Sequence, residues 1–144
     1  MSLDGAYDRD NVFAKILRGE LPAFKVYEDE HALALMDLFP QARGHVLVVP
    51  KAEARNLLDV EPEALAALMR RVQRVAAAVR TTLNPDGISV MQFNGAAGGQ
   101  TVFHLHFHVI PRFEGETMKG HGQAGMADKE ELADLARRIG AAMA

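Results

Sequence analysis

His104, His106 and His108 occupy every second position of the run Phe103-His104-Leu105-His106-Phe107-His108-Val109-Ile110-Pro111. Successive side chains of an extended chain point to opposite faces, so this spacing gathers three imidazoles on one face and leaves Leu105, Phe107 and Val109 for the other. Neighbouring imidazoles then stand about 6.5 to 7 Å apart, a separation that matches a phosphate group lying along the row. Histidine changes charge nearest neutral pH and its neutral ring is a nitrogen nucleophile, so the row suits nucleophilic or proton-transfer chemistry. Neutral imidazoles also bind zinc, copper or nickel, and His-x-His-x-His taken alone leaves that metal alternative open.

The elements that must position this row follow from periodicity and breakers. Asp10 or Asn11 caps a short helix, Val12 to Arg18, that Gly19 ends, with Phe13, Ile16 and Leu17 as its apolar side. Extended segments follow at Phe24 to Glu28, His31 to Asp37 and His45 to Val49, with Pro40 and Gly44 in the last turn. Pro62 and the apolar spacing of Leu65, Leu68, Met69, Val72, Val75 and Val79 predict a long helix over Glu61 to Leu83. Asn84-Pro85-Asp86-Gly87 breaks it; a strand Ile88 to Phe93, a small-residue loop Asn94 to Gly99 and the histidine strand Thr101 to Pro111 come next. A glycine-rich stretch, Phe113 to Gly125, leads to a final helix near Asp128 to Ile139. The expected architecture is α+β: an antiparallel sheet of about five strands with one long helix, a short N-terminal helix and a C-terminal helix.

The 144 residues, 49% apolar, suit a single domain from residue 10 to 144, with residues 1–9 expected to be flexible and given no functional weight. Without cysteine there is no disulfide framework and no thiolate metal site. No apolar stretch is long enough for a membrane span, and a soluble cytoplasmic protein is expected. A net charge of -3 argues against broad nucleic-acid binding but leaves a small phosphorylated ligand open. Arg70, Arg71, Arg74 and Arg80 are expected on a solvated helix face, and His31 and His121 at the surface.

The run His104-Leu105-His106-Phe107-His108-Val109-Ile110 resembles the signature of the histidine triad (HIT) family of nucleotide hydrolases and transferases, His-φ-His-φ-His-φ-φ with φ apolar. The likeness extends to Gly98-Gly99-Gln100-Thr101-Val102 before it and Pro111-Arg112 after it, and upstream to Val12-Phe13, Glu20-Leu21-Pro22, Asp37, Pro40-Gln41 and Gly44-His45-Val46-Leu47-Val48-Val49-Pro50. It covers roughly Asp10 to Arg112.

The resemblance implies that His106 attacks the α-phosphorus of an AMP-type substrate, an adenosine phosphoramidate or a dinucleoside polyphosphate, giving a nucleotidyl-histidine that water resolves. It implies that His108 meets the phosphate or leaving group and that His104 and His45 form a relay behind the nucleophile. Asp37 is similar to the carboxylate that takes the ribose hydroxyls. Phe13, Ile16, Leu35 and Leu38 resemble the pocket that sandwiches the base, although each could be ordinary core. Asn94, Gly99, Gln100 and Thr101 fall in the loop that presents amides and polar side chains to the phosphate. Asn11 and Ala14 stand where many bacterial members carry cysteines for a structural zinc, so no metal and no cofactor is expected. The resemblance further implies a homodimer with the long helix near its seam. A nucleotide-binding interaction or signalling module with little turnover is the alternative of a different class.

Overall fold

The computed structural model describes residues 2–118, 120 and 125–143. Its elements are α1 (Val12–Leu17), β1 (Lys25–Glu28), β2 (Ala32–Met36), β3 (Val46–Pro50), α2 (Pro62–Leu83), β4 (Gly87–Met91), β5 (Phe107–Arg112) and α3 (Lys129–Ala141), with a short 3-10 turn at Ala96–Gly98. The strands form one antiparallel sheet in the order β1-β2-β3-β5-β4. The expected α+β architecture, with a short first helix, a long second helix and a C-terminal helix, is the one observed. No described helix is long and apolar enough to cross a membrane.

Local chemistry sets the helix ends. The Asn11 side chain accepts from the Ala14 amide and Asp128 from that of Glu131, each satisfying an N-terminal donor that has no intrahelical partner. Pro62 starts α2, and Asn84 closes it in the left-handed conformation, where asparagine is among the few tolerated side chains.

Alternation divides the sheet into two faces. Ala32, Ala34, Met36, Val46, Val48, Phe107 and Val109 join Leu68, Val72, Val75, Leu132 and Ile139 of α2 and α3 in the main core. Leu33, Leu35, Leu47 and Val49 face the other way and meet Phe13 and Ile16 of α1. The thicker layer buries apolar surface, while the thinner one leaves room beside α1 for the histidines.

Arg70, Arg74 and Arg80 are exposed as expected and Arg71 is half-buried, and two of the four, Arg71 and Arg74, also fasten α2 to its neighbours. Arg71 Nε donates to Asp29 Oδ2 at 2.9 Å, and the Arg74 guanidinium stacks 4.9 Å from the Tyr27 ring and donates to the Met143 carbonyl. Both lie on the flank of α2 that meets β1 and the tail, where a long stem can cover apolar surface and still place its charge on a partner. Burial pushes the Asp29 carboxyl up, but donors from Tyr27, His31, Arg71 and Ala32 together hold it well below 3.8.

α3 approaches β1 at Gly140, where an added Cβ would lie 2.5 Å from the Val26 carbonyl oxygen. Helix propensity alone would make Gly140→Ala stabilising by about 1 kcal/mol, but overpacking against fixed backbone should reverse the sign and cost about 2 kcal/mol. Urea unfolding of the variant checks this, and an increase in midpoint would refute it.

Candidate active site

Three elements bring the histidines together. His108 sits in β5 opposite Leu47, and His45 immediately precedes β3. Gly44, at φ +92°, makes the turn into His45 and lies against Leu83 at the end of α2, where a Cβ would overlap the leucine Cδ1. His104 and His106 precede β5, which begins at Phe107 rather than at Thr101. The β3–β5 pairing runs from Val46–Val109 to Val48–Phe107 and goes no further; two residues on, Pro50 has no N–H to offer, and its carbonyl accepts from His104 Nε2 at 2.8 Å. The two-residue alternation still extends beyond the strand: Leu105 is in the main core, and all three histidines are buried away from it.

Hydrogen bonds fix the ring protons without ambiguity where a partner can only donate or only accept. His106 Nδ1 is 2.7 Å from the His104 carbonyl oxygen, so the proton is on Nδ1 and Nε2 carries the lone pair. His104 Nε2 donates to the Pro50 carbonyl, and the Tyr7 hydroxyl donates to His104 Nδ1 at 2.5 Å. The Gln41 amide donates to His45 Nδ1 at 3.0 Å, so His45 Nε2 is the protonated nitrogen and faces His108 Nδ1 at 2.9 Å. His108 therefore holds its own proton on Nε2. The His106 and His108 ring centroids are 5.1 Å apart, closer than an ideal strand spacing, so a ring protonated on Nδ1 adjoins one protonated on Nε2. That pairing can attack an electrophilic phosphorus and hydrogen-bond an oxygen or nitrogen attached to it.

The expected relay of His45 with His104 is not formed: His45 meets His108, and His104 is held between Tyr7 and Pro50. β3 places the two on different sides, His45 before its first residue and Pro50, the partner of His104, at its last. Asp37 is buried beside the His45–His108 pair, with Oδ1 accepting from the Phe39 amide and Oδ2 3.5 Å from His45 Nε2.

Of the expected base pocket, Phe13, Ile16 and Leu35 do come together, and the Phe13 ring meets His106 edge-on at 4.9 Å. Leu38 does not join them. It packs against the opposite core, because the alternation of β2 carries on past Met36 and puts Leu38 on the side of Ala34 and Met36. In the loop before the row, Gln100 is buried with its side chain spent on the Gly95 amide and on the Arg55 and Val102 carbonyls. It holds the loop's shape rather than presenting its amide. Asn94 likewise accepts from the Leu57 amide and exchanges hydrogen bonds with Gln92. Gly99, at φ +105°, and Thr101 are exposed at the loop surface. The Phe93 ring, not anticipated, lies 5.6 Å from His108.

The row does not converge on a common point as metal ligands must, since both His104 nitrogens and His106 Nδ1 are held by protein partners. Among the described residues, the group with metal-ligand spacing is Asp37, His45 and His108, but there a proton already joins His45 to His108. Asn11 is occupied as a helix cap and Ala14 is buried, so neither offers a ligand. A cavity of about 480 Å³ lined by Met36, Gly44, Pro111 and Leu132 opens on the α3 side of the sheet, not at His106. His31 is exposed as expected, whereas His121 lies outside the described residues.

A HIT domain model matches residues 18–115. The chain belongs to the HIT family. A crystal structure of a Hit-like protein involved in cell-cycle regulation from Bartonella henselae, with an unknown ligand, superposes with a TM-score of 0.91 at 48% identity, covering 96% of this chain and 99% of that one. The protein hit of Bacillus subtilis is 40% identical over 102 residues, 71% of this chain and 70% of the relative. An adenylylsulfatase of Arabidopsis thaliana is 35% identical over 135 residues, 90% of this chain and 68% of the relative.

In this HIT protein, burial pushes His104 down to about 4 from 6.5, against the opposing pull of the Pro50 carbonyl. The unfolded chain therefore takes up the His104 proton first as pH falls, so this stability is complete above pH 6.5 and is lost towards pH 4. His104→Gln removes the titration: the stability gap between wild type and variant should narrow by about 2 kcal/mol from pH 7.5 to 4.5. Urea midpoints at the two pH values measure it, and a gap independent of pH would refute the assignment.

Proposed function

We propose that this chain is a nucleotide hydrolase acting at the α-phosphorus of an AMP-type substrate, an adenosine phosphoramidate or a dinucleoside polyphosphate. The observation that carries this reading is the His106 ring, whose Nδ1 proton is held by the His104 carbonyl and whose centroid is 5.1 Å from that of the His108 ring. His106 Nε2 forms a bond to phosphorus, and the leaving group departs with its bonding pair and takes a proton from solvent. His108 Nε2–H hydrogen-bonds the phosphate or the departing atom. The new nucleotidyl-histidine keeps its Nδ1–H on the His104 carbonyl, which stabilises the charge on the ring. Water then attacks phosphorus, the P–N bond returns its electrons to Nε2, and the water proton leaves to solvent.

In this proposal Phe13, Ile16 and Leu35 form the apolar side of the nucleoside site, and Asp37, beside the His45–His108 pair, takes the ribose. The exposed amides around Gly99 and Thr101 face the phosphate, and Gln100 and Asn94 keep that loop in shape. The domain expected to begin at residue 10 takes in residues 2–9 as well, which are fastened to the fold rather than flexible, and in this proposal it works in the cytoplasm without a metal. We also propose a homodimer. β4 is an open edge of the sheet, and Val90 on it and Met69 on α2 are exposed.

His106→Ala should abolish turnover of adenosine phosphoramidate and diadenosine polyphosphates while AMP binding changes less than about threefold, because the ring supplies the bond to phosphorus and not the bulk of the contact area. Rapid quenching with a labelled substrate should trap label on His106 of the wild type under single-turnover conditions. Undiminished turnover in the variant would refute the nucleophile, and absence of measurable turnover in the wild type would favour a binding module.

For the dimer, light scattering should give twice the chain mass for the wild type, and Val90→Lys should shift it towards the single chain. A wild type of single-chain mass at working concentration would remove the dimer.

A further inference from the structure

The N-terminal segment before α1 is anchored rather than loose against the site. The Ser2 carbonyl accepts from Arg55 Nη2 and the Leu3 carbonyl from Asn56 Nδ2, both at 2.8 Å, and both donors belong to buried side chains. Leu3 lies over Gly95, and Gly5 over the Arg55 guanidinium, which itself stacks 4.5 Å from the Phe103 ring. On the outer side, Arg9 pairs with Glu53 at 2.8 Å. Between these fastenings the Tyr7 ring meets His104 edge-on at 5.6 Å and its hydroxyl reaches His104 Nδ1.

We propose that Tyr7 is a positioning residue for the reaction: its hydroxyl holds His104 in the orientation in which the His104 carbonyl keeps the His106 proton on Nδ1. The argument starts from the backbone. Residues 101–106 belong to no strand, so no ladder fixes the direction of the His104 carbonyl. Two attachments fix it instead: the Leu105 amide donates to the Ala54 carbonyl at 2.9 Å, and the His104 ring is anchored at both nitrogens. A ring held by Pro50 alone could turn over and lose that bond, whereas a donor at Nδ1 and an acceptor at Nε2 admit one orientation only. The His104 ring is almost completely buried, so water does not replace a missing partner there without opening the segment. The Tyr7 hydroxyl thus acts two bonds upstream of the nucleophile: Tyr7 to His104, and His104 carbonyl to His106.

This inference rests on His106 being the nucleophile, and its test is chosen to separate the two. Tyr7→Phe keeps the ring contact and removes only the hydroxyl. In the substrate-free wild type, long-range ¹H–¹⁵N spectra of the imidazoles should show His104 protonated on Nε2 and His106 on Nδ1. In Tyr7→Phe, His106 should gain a population protonated on Nε2, and kcat for adenosine phosphoramidate should fall about tenfold with KM within about twofold. A merely structural loss would lower the melting temperature without this split between kcat and KM or the change of tautomer.

An unchanged His106 tautomer in Tyr7→Phe overturns the proposal, as does a wild-type His104 protonated on Nδ1 or a kcat unchanged where turnover is measurable. If the wild type turns over no nucleotide, the functional reading fails and the ring spectra alone decide the role of Tyr7. Should Tyr7→Phe not fold, 3,5-difluorotyrosine at position 7 alters only the acidity of the hydroxyl. The His104 Nδ1 and His106 resonances should then both move, and stationary His106 resonances overturn the proposal.

Discussion

The hydrogen bond from His106 Nδ1 to the carbonyl of His104 is the constraint on which the rest of the site depends. It links residues two apart in the chain, so it needs the backbone to bring a carbonyl under the ring of the second residue following, a geometry a regular ladder would not give. The fold provides it by starting β5 only at Phe107, with Pro50 closing the opposing strand and offering its carbonyl to a side chain. Beyond that point the chain is extended enough to keep apolar residues on the core side, yet free of the ladder's claim on its carbonyls. A tautomer is selected by backbone placement, and the selected tautomer has its nucleophilic nitrogen on the other side of the ring.

A second line of polar groups, independent of the first, sets the neighbouring ring. The Gln41 amide fixes His45, His45 fixes His108, and Asp37 lies alongside. The two lines approach from opposite ends of β3 and meet only where the His106 and His108 rings face each other. Both are buried, so their donors and acceptors have little water to turn to, and each group is held by the cost of losing its partner.

Much of this was legible in the sequence, for reasons that can be stated residue by residue. α2 was readable because its apolar spacing and Pro62 are local signals, and the alternation of histidine with Leu105, Phe107 and Val109 survives whether or not the segment is a ladder. The start of β5 was not legible, because it depends on where pairing with β3, over fifty residues away, runs out at Val48. Nor was the partner of His45, since sequence gives no account of which ring two strands bring within reach. Leu38 resembled a pocket residue by position but shares the parity of Ala34 and Met36 and so packs on the opposite face from Leu35. Arg71 and Arg74 look solvated in any helical projection that omits β1 and the tail. Tyr7 carried one faint signal, an aromatic ring in an otherwise polar stretch, and Gln100 none that would tell a loop fastener from a ligand-facing amide.

Gly44 connects parts of the molecule that otherwise have separate tasks. Its left-handed backbone and missing side chain let the last turn of α2 rest, through Leu83, on the residue that leads into His45. The long helix is on the far side of the sheet from the His106 ring, and it is nonetheless a direct neighbour of the turn that leads into His45. A side chain at position 44 would have to displace Leu83 or the turn itself, since the Cβ would overlap the leucine Cδ1. The end of the scaffold helix and the entry to the histidine centre thus meet at the same residue, and a change there cannot be made for one without the other having to accommodate it.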